Sequence, residues 1–234
     1  MCHTHDSRPP AAPNAGEIAE QGPIELVSAD GTRVRAYRAR PAAPNGRSVV
    51  ILPDVRGLHP FYEALAGRFA EAGFTAIAID YFGRHTEVPE DMWARFGFIQ
   101  HDHVRTDVAA AFAELDGPVY TVGFCAGGTQ SWRQAAAGHP GHAGAIGFYG
   151  MPHLVEDVLD DMRVPMLLLI AGNDAATEQA EFTAFAERLA GAGKPYEMKV
   201  YEGAPHSFFD VAHERWREAC DDAWERVLRF TGAM

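Results

Sequence analysis

Four side chains capable of nucleophilic or acid–base chemistry each stand directly after an apolar, strand-like run of this chain. They are Asp54, Cys125, Asp174 and His206. Ligands of an open parallel sheet bind at the carboxyl ends of its strands, so we expect these side chains to share one edge of a sheet. A thiol attacks a carbonyl carbon well only as its thiolate, and an imidazole can accept or balance the proton. The pattern therefore points to nucleophilic chemistry at Cys125.

Cys125 lies at the centre of Gly123-Phe124-Cys125-Ala126-Gly127, between an apolar, β-branched run and an alanine-rich, helix-prone segment. This succession of strand, sharp turn and helix has the shape of the G-x-S-x-G nucleophile elbow, with sulfur in place of the hydroxyl. Any side chain at position 123 or 127 would collide with neighbouring backbone. The adjacent helix N-terminus would stabilise a thiolate. Taken alone, however, a cysteine at the end of a core strand is more often a small buried hydrophobic residue.

The order of the other groups along the chain favours the nucleophile. Cys125, Asp174 and His206 follow one another as nucleophile, acid and histidine, which is the chain order of α/β-hydrolase triads. His206 lies in a loop with glycine and proline that can bring its ring to the sulfur. Asp174 would then bond the other ring nitrogen and stabilise the imidazolium. Each residue alone has an ordinary explanation as a turn or loop residue, but three strand ends in this order predict a triad.

The elements that must position these residues alternate between strand and helix from Ser48 to the end of the chain, after a hairpin signal at Ala29-Asp30-Gly31. This alternation predicts an α/β fold with a mostly parallel central sheet, helices on both faces and an N-terminal antiparallel hairpin. We assign residues 23–234 to this single domain and residues 1–22 to a flexible leader. The aromatic-rich segment 86–100 is expected to be a loop with a short helix that covers a pocket.

Composition excludes several classes of protein. The 32 acidic residues against 20 basic ones give a net charge of -12, which argues against nucleic-acid and anionic-membrane partners. The three cysteines, Cys2, Cys125 and Cys220, are too few and too widely spaced for a disulfide framework or a zinc pattern. This use of cysteine suggests a reducing compartment, so we expect a cytoplasmic protein. No apolar run suggests a signal peptide or a membrane span. We also expect neither metal nor organic cofactor, since a triad needs none.

Three motifs resemble those of the dienelactone hydrolases, and the resemblance extends from about Ile24 to the end of the chain. The motifs are Gly123-Phe124-Cys125-Ala126-Gly127-Gly128, Ala171-Gly172-Asn173-Asp174 and Ala204-Pro205-His206-Ser207-Phe208, and the segment Asp80-Tyr81-Phe82-Gly83-Arg84 is similar as well. The resemblance implies an α/β-hydrolase fold, a Cys-His-Asp triad and the hydrolysis of strained enol lactones. Cysteine at the elbow is what separates this family from most other α/β-hydrolases.

The same resemblance implies roles for residues after the first parallel strand. The family has a glutamate there that helps to generate the thiolate, and this chain has Asp54, which is shorter by one methylene. Asp54 either keeps this thiol-activating role or forms a salt bridge with Arg56 or Arg84, and we favour the first. The backbone N–H groups of Val55 and Ala126 would form the oxyanion hole.

The substrate pocket departs from the pattern of the family. Two arginines clamp the substrate carboxylate in the family; one matches Arg84, but the other falls where this chain has Phe209-Asp210. This chain therefore lacks the second arginine of the family and has the carboxylate of Asp210 at that place. A dicarboxylate-like dienelactone is expected to bind less well here, unless Arg56 compensates.

These residues predict a hydrolase that cleaves a small activated lactone or ester through a cysteine thioacyl-enzyme. The alternative is a non-hydrolytic ligand-binding or redox-sensing protein that uses the same fold and Cys125. The sequence gives neither the substrate nor the oligomeric state.

Overall fold

A single open sheet of eight strands forms the centre of the computed structural model, which describes residues 6–13, 15–85, 87–210 and 212–234. Its order is β1-β2-β4-β3-β5-β6-β7-β8; β1 and β2 are antiparallel to their neighbours, and β3 to β8 run parallel. The strands are β1 (Ile18–Val27), β2 (Arg33–Pro41), β3 (Ser48–Leu52), β4 (Thr75–Ile79), β5 (Val119–Phe124), β6 (His142–Phe148), β7 (Met166–Asn173) and β8 (Tyr196–Pro205).

Six helices connect or follow these strands in the described part of the chain. They are α1 (Pro60–Glu71), α2 (Met92–Phe96), α3 (His101–Phe112), α4 (Ala126–Gln134), α5 (Gln179–Gly191) and α6 (Arg217–Thr231), with 3₁₀ turns at Pro152–Leu154 and Glu156–Asp161. The mostly parallel sheet with its antiparallel start confirms the fold class predicted from the sequence. The segment 86–100 contains one short helix, as expected, although Thr86 itself lies outside the described residues.

Alternate residues of the central strands pack on opposite faces of the sheet. In β3, Val49 and Ile51 join the core under α1 and α6, whereas Val50 and Leu52 join the core under α3. A third apolar cluster lies between α4, α5 and the strands β6 and β7. Burial on both faces explains why the parallel strands are continuous apolar runs in the sequence. Their carboxyl ends therefore meet at one edge of the sheet.

Secondary structure begins earlier in the chain than the sequence suggests. β1 begins at Ile18, inside the segment assigned to a leader, because residues 18–22 pair with β2 along an exposed edge that needs no apolar alternation. Upstream, Ser7, Pro9, Pro10 and Ala12 are buried. The remainder of the leader prediction, residues 1–5 and Asn14, lies outside the described residues. None of the described helices is long and apolar enough to cross a membrane.

Candidate active site

Cys125 occupies the tight turn between β5 and α4, with φ 55° and ψ -118°. This backbone conformation is strained for a residue with a side chain, and such strain is typical of functional turns. The turn closes because its neighbours lack side chains: a Cβ on Gly123 would overlap the Gly127 carbonyl, and a Cβ on Gly127 would overlap the carbonyl of Leu52. The N–H of Cys125 bonds the carbonyl of Phe148 at 3.0 Å. The elbow geometry expected from the sequence is therefore present, with a half-buried sulfur at its apex.

The loop after β8 carries His206 to the elbow, and the end of β7 supplies Asp174. His206 Nδ1 lies 2.8 and 2.9 Å from the two carboxylate oxygens of Asp174, and both side chains are almost completely buried. Burial lowers the pKa of His206, but the hydrogen bonds to Asp174 and Cys125 and the charges of both raise it to about 10. The ring also packs on Tyr149, with 4.8 Å between ring centroids. The structure thus pairs His206 with Asp174 and brings the ring close enough to Cys125 for the sulfur to affect the pKa of His206.

Asp54 forms a salt bridge with Arg56, which is the second of the two roles that the sequence left open for it. Arg56 Nε lies 3.0 Å from Asp54 Oδ1, and Nη2 lies 2.8 Å from Oδ2. The same Nη2 donates to Asp210 Oδ2, and Nη1 donates to Ser7 Oγ at 3.1 Å. The guanidinium also stacks on Phe61, 5.2 Å from the ring centroid. Arg56 is therefore enclosed between two carboxylates, and the thiol-activating role of Asp54 stays a prediction.

Arg84 has a setting that the sequence did not predict. Its Nε lies 2.9 Å from Asp107 Oδ2 in α3, and its Nη1 lies 2.7 Å from Asp30 Oδ2 and 2.9 Å from Thr32 Oγ1 in the β1–β2 turn. Its Nη2 donates to Asp107 as well. A substrate carboxylate would have to displace one of these partners. The arrangement argues against the predicted binding of a substrate carboxylate by Arg84. Its ion pairs instead connect the end of β4 to α3 and to the β1–β2 turn.

The two N–H groups predicted to form an oxyanion hole lie on segments that touch. Ala126 is the first residue of α4, so its N–H has no acceptor within the helix. Gly127 lies against the carbonyls of Leu52 and Pro53, where even a methyl group would not fit. The segment that carries Val55 therefore passes directly beside the first turn of α4.

Two buried phenols lie near the elbow, and the sequence predicted no role for either, although Tyr81 belongs to the segment 80–84 that resembles the family. The hydroxyl of Tyr62 accepts the N–H of Asp54 at 3.0 Å, and the hydroxyl of Tyr81 donates to the carbonyls of Pro53 and Asp54. Tyr81 directly follows Asp80 at the end of a strand, which is the one signal that could have identified it. Tyr62 lies inside α1 and has no such signal.

A cleft of about 400 Å³ opens next to Arg56 at the carboxyl edge of the sheet. Its polar lining consists of Arg35, Arg56, Asp80, His85 and Arg95. Arg35 is bonded to Asp80 at 2.6 Å, and Arg95 Nε donates to the carbonyl of Pro89 at 2.6 Å. Within the described residues, no group of three or more His, Cys, Asp or Glu side chains is arranged to hold a metal ion.

A strand–elbow–helix unit in this sheet order is the architecture of the α/β-hydrolases. Comparison with known proteins narrows the class: the model of the "Dienelactone hydrolase family" matches residues 34–234, and the chain belongs to that family. A "Putative carboxymethylenebutenolidase" of Salmonella typhi is 26% identical over 262 residues, covering 98% of this chain and 97% of that protein. A "Probable 2-oxo-3-(5-oxofuran-2-ylidene)propanoate lactonase" of Bradyrhizobium sp is 26% identical over 228 residues, covering 87% and 91%.

A solved structure shows the same fold. The crystal structure of a "Putative Dienelactone Hydrolase" from Klebsiella pneumoniae subsp. pneumoniae MGH 78578 superposes with a TM-score of 0.79 at 24% identity, covering 93% of this chain and 99% of that chain. Membership of this family makes the protein a hydrolase that acts on esters or lactones, with a small molecule as its substrate.

Proposed function

We propose that this protein hydrolyses a small activated lactone or ester through a thioacyl-enzyme on Cys125. The observation that carries the proposal is the position of His206, which is hydrogen-bonded to Asp174 and lies close enough to Cys125 for the sulfur to raise its pKa. A histidine held in this way can pair as imidazolium with a thiolate and later act as a base. Its raised pKa, about 10, keeps the ring protonated when the sulfur is ionised.

In the first half of the reaction, the Cys125 thiolate attacks the carbonyl carbon and forms a carbon–sulfur bond. The carbonyl oxygen becomes an oxyanion, which the N–H groups of Val55 and Ala126 would bind. The carbon–oxygen bond to the leaving group then breaks, and the departing oxygen takes the proton from the His206 imidazolium. In the second half, His206 removes a proton from water, the hydroxide attacks the thioester, and the thiolate departs while the imidazolium remains beside it.

The use of sulfur favours activated substrates. A thiolate leaves more readily than an alkoxide, so the first tetrahedral intermediate returns to substrate unless the departing oxygen is itself a good leaving group. Enol lactones and aryl esters meet this condition, whereas simple alkyl esters do not. Arg56 and Arg84 are both paired with carboxylates, so we do not assign either to a substrate carboxylate.

The test is a pair of cysteine variants assayed with an activated aryl ester. We expect Cys125→Ala to abolish turnover and Cys220→Ala to retain it. Cys220 is a fitting control because it is buried beneath the loop of His206 and burial raises its pKa to about 12. Mass spectrometry during turnover should show an acyl adduct on Cys125 in the parent protein. Turnover by Cys125→Ala near the parent rate would refute the proposal, and a ligand-binding or redox-sensing protein would show no acyl adduct.

A further inference from the structure

The loop that carries Val55 is held by two buried phenols on opposite sides of Asp54. From α1, the Tyr62 hydroxyl accepts the N–H of Asp54 at 3.0 Å. From the end of β4, the Tyr81 hydroxyl donates to the carbonyl of Pro53 and lies 3.3 Å from the carbonyl of Asp54. Both rings are buried, at 0% and 3% exposure. Buried hydroxyls placed on one short loop from two elements fix its backbone more tightly than packing alone does.

The contact between Tyr81 and the Asp54 carbonyl has a consequence for Val55. The carbonyl of Asp54 and the N–H of Val55 belong to the same peptide group, which is planar and trans, so they point in opposite directions. The Asp54 carbonyl accepts from the Tyr81 hydroxyl and from the N–H of Gly57, the latter at 3.0 Å. Whatever fixes this carbonyl therefore also fixes the direction of the Val55 N–H.

The environment of Tyr81 allows its hydroxyl to act as a fixed hydrogen-bond donor close to the Cys125 sulfur. The Pro53 carbonyl to which it donates lies against Gly127, in the first turn of the elbow helix. Burial, together with the charges of Asp54, Cys125 and Asp80, raises the pKa of Tyr81 well above its usual range. The phenol consequently remains protonated and keeps its hydrogen to donate.

We propose that Tyr81 is a positioning residue of the oxyanion hole, which sets the direction of the Val55 N–H through the Asp54 carbonyl. Tyr62 assists by holding the other peptide group of Asp54 from the opposite side. This inference rests on the proposed function, in which Val55 supplies one of the two oxyanion donors. Tyr81 would then help to stabilise the transition state, although its hydroxyl contacts the backbone and not the substrate.

The experiment compares two reactions of the same sulfur. Acylation of Cys125 by an activated aryl ester passes through an oxyanion, whereas alkylation by iodoacetamide is a displacement at carbon that forms none. We expect Tyr81→Phe to slow single-turnover acylation by about 10- to 100-fold, since complete loss of one oxyanion donor costs about 100- to 1,000-fold. KM should stay within about twofold, and the alkylation rate should be unchanged because the thiolate and His206 are untouched.

Tyr120→Phe is the matched control. Tyr120 lies in β5, and its hydroxyl also donates to a backbone carbonyl, that of Thr231 at 3.2 Å, far from the elbow. This variant should lose comparable stability with no change in acylation. Tyr62→Phe is the second variant and should slow acylation by about 3- to 10-fold without changing the rate of alkylation. This effect is smaller than that of losing an oxyanion donor, because Tyr81 still holds the loop.

Two results would overturn the inference: acylation unchanged in Tyr81→Phe, or acylation and alkylation slowed by the same factor. If Tyr81→Phe does not fold, Tyr62→Phe decides by the same comparison. Failure of the proposed function has a separate signature, because iodoacetamide would then label Cys125 in the parent protein without abolishing turnover.

Discussion

Replacing Asp174 by asparagine tests the charge that holds His206 while keeping the shape of the side chain. In the parent protein, the carboxylate lies 2.8 Å from His206 Nδ1 and contributes to raising the pKa of His206 from 6.5 to about 10. That difference corresponds to about 5 kcal/mol in favour of the imidazolium. Loss of one opposite charge at this distance is expected to lower the pKa of His206 by about 1 to 3, or about 1.4 to 4 kcal/mol.

The sign of the effect follows from the raised pKa. The stabilisation of the folded protein by the imidazolium is fully present below pH 6.5 and is lost as the pH rises through about 10. In Asp174→Asn, this loss should occur at a lower pH, so the variant should be less stable than the parent at pH 8 to 9. The His206 imidazolium that would pair with the thiolate should also be less populated at pH 8 to 9.

Two assays report these changes. The rate of Cys125 alkylation by iodoacetamide should fall at pH 8 to 9, because the variant's ring has lost the proton that the parent's ring keeps and no longer stabilises the thiolate. Ester turnover should fall by about 100- to 10,000-fold, since the ring also loses its orienting partner. Alkylation measured from pH 5 to 10 should show the altered profile directly.

The control is Asp157→Asn, which removes a surface carboxylate bonded to Arg133. It should leave both the pH profile and turnover unchanged. The reasoning about His206 is wrong if Asp174→Asn alkylates and turns over with the parent's rates and pH dependence.

Three further predictions follow from buried contacts. Gly127→Ala should fail to fold or lose several kcal/mol in urea denaturation, whereas Gly191→Ala, where a Cβ meets open space at a helix end, should be neutral or slightly stabilising. Arg84→Met should cost about 3 to 5 kcal/mol of unfolding free energy by leaving a buried carboxylate unpaired, yet leave the ratio of KM for carboxylated and neutral esters unchanged. Burial lowers the pKa of both His139 and His142 to about 4. As the pH falls from 6.5 to 4, these histidines are protonated in the unfolded chain but not in the folded protein, so the free energy of unfolding should fall. At pH 5 the loss should be about 2 kcal/mol per histidine, and His142→Gln should reduce the difference in unfolding free energy between pH 7.5 and 5.

The strand ends and their order could be predicted because they depend on local sequence. A strand buried on both faces is a continuous apolar run, and the elbow needs glycine on both sides of its apex, as the contacts of Gly123 and Gly127 show. The order of Cys125, Asp174 and His206 then places the three groups at one edge of a parallel sheet, without knowledge of any side-chain contact.

Ion-pair partners could not be predicted in the same way, because they depend on which segments meet in space. Arg84 is separated from Asp107 by 23 residues and from Asp30 by 54, and nothing in its local sequence indicates either partner. The contact between Arg56 and Asp210 spans 154 residues. The start of β1 was missed for a related reason: an exposed edge strand is stabilised by its pairing with β2 and carries little apolar pattern.

The contact between Ser7 and Arg56 connects the N-terminal segment to the residues beside the elbow. Ser7 donates no catalytic group, yet it lies on the guanidinium that links Asp54 and Asp210 beside the elbow. It also lies outside residues 34–234, the part that matches the family. Replacing or trimming the residues around Ser7 should therefore change the surroundings of Arg56 while leaving Cys125, Asp174 and His206 themselves unaltered. A tag is consequently better attached at the exposed Met234 than upstream of Ser7.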